Sequence, residues 1–189
     1  KWYKNEPVEV WQEYAKTALL EFPVWMQLTF PKWELVDAEY QLYEPIEGFD
    51  DVSFKGFVDA MIKVTDSKGK EKLWIIDWKT TGKAGWLSKQ RRDFLKTAQV
   101  GLYKRYIARK LDMDLKDIKC AYVFLKRGAK APKVIDLFTV SVGPKFVERA
   151  DKMVDSMVKN VKKGFAMKNY NSCKFCPFAN SEHCNGGQW

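Results

Sequence analysis

The chain has 189 residues, with 33 Lys plus Arg against 24 Asp plus Glu, so its net charge is +9. At 46% hydrophobic and 15% aromatic it is too apolar for a disordered segment, and its length suits one domain with a real core. No stretch nears the ~18 uninterrupted apolar residues of a membrane span. The start, Lys1-Trp-Tyr-Lys-Asn, lacks the apolar core and cleavage site of a signal peptide, so a cytoplasmic protein is expected. The one histidine, His183, lies in a cysteine-rich terminus, which argues against a Ser-His-Asp or Cys-His acyl-transfer site. The positive excess fits a polyanionic partner.

In chain order, residues 8–20 read as a helix with Val10, Tyr14, Leu19 and Leu20 on or near one face. Pro23 and Pro31 follow, which predicts irregular structure there. Residues 34–44 alternate as a strand, and residues 52–65 form a second. Asp66-Ser-Lys-Gly69 signals a turn into a third strand, Lys72–Asp77, so the last two strands are expected to form an antiparallel hairpin. Beyond Gly82 and Gly85, residues 88–111 read as one long helix through Phe94, Ala98, Leu102, Tyr106 and Ile107. Residues 118–126 and 134–142 read as strands, and 144–163 as an amphipathic helix. No repeat or Gly/Ser linker divides the chain, and the interleaved elements indicate a mixed α/β layer fold.

The hairpin carries the chemistry. Asp59 lies in Gly56-Phe-Val-Asp59, and Asp77 and Lys79 end the next strand in Ile75-Ile-Asp-Trp-Lys79. Side chains two apart in a strand share a face, so Asp77 and Lys79 point the same way, and the hairpin brings Asp59 alongside. Two adjacent carboxylates repel unless a cation neutralises them, and oxygen ligands favour Mg²⁺ or Mn²⁺. The carbonyl of Trp78 offers a further oxygen. A lysine beside such an ion orients or deprotonates water and offsets charge on a phosphate, which suits attack of water on a phosphodiester. The competing reading is a surface hairpin with two solvated aspartates. Against it, Asp77 follows the apolar run Leu-Trp-Ile-Ile, where an unpaired carboxylate is costly.

Gly56-Phe-Val-Asp59, then Ile76-Asp77-Trp-Lys79-Thr80, then Gln99-Val-Gly-Leu-Tyr103 resembles the PD-(D/E)XK nuclease superfamily. Within it the chain is most similar to the RecB-like exonuclease branch, which includes phage recombination exonucleases and CRISPR-associated adaptation nucleases. The resemblance covers about residues 34–110 and implies a restriction-endonuclease-like core, a mixed central sheet flanked by helices. It implies Asp59 and Asp77 as metal ligands and Lys79 as the catalytic lysine. Gln99 and Tyr103, one helical turn apart, would support the site and contact DNA. The branch usually carries an upstream His or Glu as a further ligand. Glu13, Glu21 and Glu39 are weak substitutes, and the expectation is that this ligand lies upstream of Lys1.

Cys173, Cys176 and Cys184 form C-x-x-C with a third cysteine eight residues on. Thiolates at this spacing suit zinc or an iron–sulfur cluster. Spacing alone does not choose between them; the resemblance implies a [4Fe–4S] staple. Three ligands are one short, and the fourth is an upstream cysteine, His183 or Cys120, although Cys120 sits in the apolar run IKCAYVF and reads as core. The competing reading is three free thiols at a frayed end. The division expected is a core over residues 1–170 and a cysteine appendix over 171–189.

Lys83, Lys89, Arg91, Arg92 and Lys96 follow the D-x-K strand and are candidates to grip phosphates, while Trp78 and Trp86 are candidates to stack on unpaired bases. Each has a bland alternative, since charge runs are often solvated faces and a Trp beside a strand end often packs. Lys162, Lys163 and Lys168 are weaker candidates. Together with the resemblance, these features predict a Mg- or Mn-dependent deoxyribonuclease, an exonuclease acting on DNA ends or single strands. The rival is an inactive nuclease-like module that binds DNA or scaffolds a helicase or recombination partner. A sequence-specific restriction enzyme ranks lower, because the Gln-x-x-x-Tyr pattern belongs to the exonuclease branch.

Overall fold

The computed structural model describes residues 6–165, 173, 176–179, 181–182 and 184. The chain divides into two compact units, Lys1–Asp151 and Lys152–Trp189. In order, the elements are α1 (Val8–Thr29), β1 (Trp33–Ile46), β2 (Phe49–Thr65), β3 (Glu71–Thr81), α2 (Ser88–Arg91), α3 (Phe94–Lys110), a 3-10 turn (Leu115–Asp117), β4 (Ile118–Lys126), β5 (Ile135–Val140) and α4 (Pro144–Lys162). No helix among the described residues is long and apolar enough to cross a membrane.

The five strands form one sheet in the order β1-β2-β3-β4-β5. Pairing is antiparallel except between β3 and β4, which are parallel. Parallel neighbours need a crossover, and α3 supplies it. The fold is thus a mixed sheet with helices on it, consistent with a restriction-endonuclease-like core. The β2–β3 hairpin turns at Asp66, whose carboxylate accepts the backbone N–H groups of Lys68 and Lys70 at 2.8 and 2.9 Å. Those bonds pull the Asp66 pKa below the ordinary carboxylate value.

One face of the sheet packs on α1. Met26 and Phe30 meet Ala60, Ile62, Ile76, Val123 and Ile135, with Ala18, Phe22 and Trp25 beside them. This stripe corrects two expectations. The helix does not stop before Pro23 but runs through it to Thr29, and Leu19 and Leu20 are exposed rather than core-facing. Pro23 itself is on the exposed side. There the carbonyl that it leaves unpaired can meet water, while the apolar stripe continues at helical spacing underneath.

The other face packs on α3. Val100 and Ile107 of α3 are wholly buried, and the thiol of Cys120 on β4 donates to the Val100 carbonyl at 3.4 Å. Cys120 is thus core, as its apolar strand predicts. The helix expected over 88–111 is two helices. Asp93 caps the second, its carboxylate accepting the Leu95 N–H at 3.0 Å. The far half of the β1–β2 hairpin also meets α3, with Phe54 stacked on Tyr106 at 4.3 Å between ring centroids.

Candidate active site

Asp59 and Asp77 lie where β2 and β3 separate. The last pair of their ladder is Ala60 with Ile76, and the two aspartates are the next residues along each strand. Here the ladder is replaced by a side chain: the Trp78 N–H donates to the Asp59 carboxylate at 2.7 Å. This bond turns Asp59 toward β3. β3 continues past this point against β4, with Asp77 opposite Tyr122 and Lys79 opposite Phe124. The apolar run that precedes Asp77 therefore carries it into a central strand, where it is 1% exposed.

A buried carboxylate there is held in an awkward state. The Lys79 ammonium forms an ion pair with Asp77 Oδ1, yet that oxygen receives no hydrogen bond of good geometry. Burial pushes the Asp77 pKa up, Lys79 opposes this, and the charge of Asp59 adds to the rise. Two like charges and an oxygen lone pair left open are the features that a hard divalent cation relieves. The two carboxylates fit Mg²⁺ or Mn²⁺ by their oxygen chemistry.

Gln99 and Tyr103 join this group from α3. Gln99 Nε2 donates to the Tyr103 hydroxyl at 3.0 Å. Tyr103 is 5% exposed, and burial raises its pKa first, with the charges of Asp77 and Asp59 also raising it. The glycine of the first motif explains itself here. A Cβ on Gly56 would lie 2.6 Å from Tyr103 Cε1, so only glycine lets β2 pass so close to the α3 ring. The three sequence motifs thus meet at one place.

Other candidates fall elsewhere. Trp78 sends its ring to the opposite face of β3, edge-on to Phe22 at 5.5 Å, at the wall of a cavity of about 590 Å³ between α1 and the sheet. Its ring is therefore not beside Lys79. Trp86 packs at 5.0 Å from Tyr122 and 5.1 Å from Phe124, in an aromatic cluster. Arg91 is spent on structure: it binds Asp136 at 2.7 Å and the Trp86 carbonyl at 2.9 Å, and stacks over Phe124 and Phe138. Lys83, Lys89, Arg92 and Lys96 are exposed. Lys96 reaches over the Trp86 ring at 5.9 Å.

The substitutes considered for a third ligand do not serve. Glu13 pairs with Lys16, and Glu39 is exposed on β1 with φ +54°. Glu21 accepts the backbone N–H groups of Val134 and Ile135, each at 3.1 Å. Among the described residues, no three His, Cys, Asp or Glu come together to hold a metal. That includes Cys173, Cys176 and Cys184, which are free thiols. Local bonds shape this segment, among them Cys176 N–H to the Cys173 carbonyl at 3.1 Å and Cys184 N–H to the Ser181 carbonyl at 3.0 Å. Among the described residues the expected iron–sulfur or zinc ligand set is not assembled. His183 and Lys168 lie outside the described residues. Tyr122, which lies under Lys79, was not among the sequence-predicted site residues; its only signal was an aromatic residue in the apolar strand 118–126.

One solved structure that resembles the chain, "Crystal structure of SSO0001", shares 16% identity at a TM-score of 0.46, covering 90% of this chain and 77% of that one. Comparison with curated proteins found no match. The family model described as the PD-(D/E)XK nuclease superfamily matches residues 3–181. Spanning nearly the whole chain and all three motifs gathered around Asp77, that match makes this protein a member of the PD-(D/E)XK nuclease superfamily.

Proposed function

We propose that the protein is a Mg- or Mn-dependent deoxyribonuclease that hydrolyses phosphodiester bonds at DNA ends or in single strands. The observation that carries this reading is the convergence of Asp59, Asp77 and Lys79 at the parting of β2 and β3. Asp59 and Asp77, with the Trp78 carbonyl, would hold the cation. When bound, it supplies Lewis acidity toward a phosphoryl oxygen and makes its water more acidic. The Lys79 ammonium offsets charge gathering on the phosphate oxygens. Water adds to phosphorus, the bond to the leaving sugar oxygen breaks, and that oxygen takes up a proton. Tyr103 and its partner Gln99 border the same site and are placed to steady the strand.

The test is incubation with labelled single- and double-stranded DNA in Mn²⁺, alongside Lys79→Ala. Cleavage by the parent and a loss of about a thousandfold in the variant is expected. A second reading, a binding or scaffold module for a helicase or recombination partner, is favoured by the absence of a third carboxylate among the described residues. DNA binding without cleavage by either protein would establish it instead.

A further inference from the structure

Lys79 touches an aromatic ring as well as a charge. Its ammonium lies against Asp77 and also sits over the ring of Tyr122, 5.6 Å from the centroid. Tyr122 is fully buried. Its hydroxyl donates to the Lys96 carbonyl at 2.7 Å, which ties the ring to the first turn of α3. Trp86 packs at 5.0 Å from it. The β3–β4 register places Tyr122 opposite Asp77, one step down the shared face from Lys79. The ring is thus held on several sides before the lysine meets it.

We infer that Tyr122 is the positioning residue for Lys79, seating its ammonium by the face of the ring. The physical need is clear from the pair itself. The Lys79 side chain is 34% exposed and long enough to swing into solvent and leave the site. A π-face attracts the ammonium without accepting a conventional hydrogen bond, so its N–H donors stay available to a phosphate. A branched aliphatic residue would fill the core position but offer no such seat. This inference rests on the nuclease reading for its effect on rate, though not for the placement itself.

The test uses Tyr122→Phe and Tyr122→Leu in the full chain, with Lys ε-carbons labelled for NMR. The ring should shift the Lys79 ε-proton signal upfield in the parent and in Tyr122→Phe, and Tyr122→Leu should return it to the position of an exposed lysine. In cleavage assays, Tyr122→Leu should lower kcat about tenfold with KM within about twofold, while Tyr122→Phe keeps kcat within about threefold. An unshifted Lys79 signal in the parent overturns the inference, even should the Leu variant fail to fold. So does a Leu variant that folds and keeps the parental kcat. If no form cleaves DNA, the nuclease reading falls, and the ring shift alone decides where the ammonium sits.

Discussion

Asp77 shows what burying a carboxylate does to its titration. Its carboxylate is buried on a central strand, and folding raises its pKa. The charged form is therefore less favoured in the folded, metal-free protein than in the unfolded chain. The resulting penalty is full above the folded pKa, shrinks as pH falls through it, and is gone below the ordinary carboxylate value. Asp77→Asn should accordingly stabilise the metal-free protein by about 1 kcal/mol at neutral pH, an advantage that fades in acid, while cleavage is lost. Chemical denaturation of both proteins across pH checks it; a constant difference at all pH values would refute the account. Cys120 is the opposite case, a titratable group with no chemical task. Burial pushes its thiol pKa up to about 12. Iodoacetamide at mildly alkaline pH should leave Cys120 unmodified in the folded protein while labelling exposed Cys176, as read by peptide mass spectrometry.

At the scale of the element, α1 shows how packing overrides a local signal. Pro23 alone argues against a helix there, and the helix expected from the sequence ends at residue 20. The stripe Ala18, Phe22, Trp25, Met26 and Phe30 gains more from lying on the sheet than the helix loses at one exposed proline. Glu21 completes the attachment. Its carboxylate binds two backbone N–H groups at the start of β5, so it ties α1 to the far edge of the sheet. Glu21→Ala should lower stability by roughly 2 kcal/mol, because buried N–H groups lose their acceptor. Cleavage per folded molecule should stay near parental, in contrast to Asp59→Ala. A selective loss of metal binding in the Glu21 variant would instead make it a ligand. The break between α2 and α3 is also an element-scale decision. Asp93 caps α3, and the apolar spacing on either side of it concealed the break in the sequence.

For the molecule as a whole, the charge of +9 becomes meaningful through its placement. Lys83, Lys89, Arg92 and Lys96 are exposed in the stretch after the D-x-K strand, whereas Arg91 is consumed by Asp136 and two rings. Replacing Lys89 and Arg92 together with alanine should weaken DNA binding and lower the slope of log affinity against log salt by about two. Arg91→Ala should act mainly on stability. Binding isotherms at several salt concentrations distinguish these; an unchanged slope in the double variant would remove that face from the DNA path.

The order of helices and strands was written in the sequence, because periods of two and of three to four residues are local. The bounds of β4, 118–126, were readable to the residue, since a short apolar run has little freedom. The three motifs were equally plain, as Asp59, Asp77 and Lys79 need only a hairpin to meet, and Gln99 and Tyr103 only one turn of helix. What the sequence could not decide was which residues each side chain would find across the fold. Trp86 and Arg91 turned into packing, Glu21 into a backbone clasp and Tyr122 into the seat of a lysine, all through partners distant in the chain. Contacts of that kind depend on strand register and helix placement, which only the assembled structure determines.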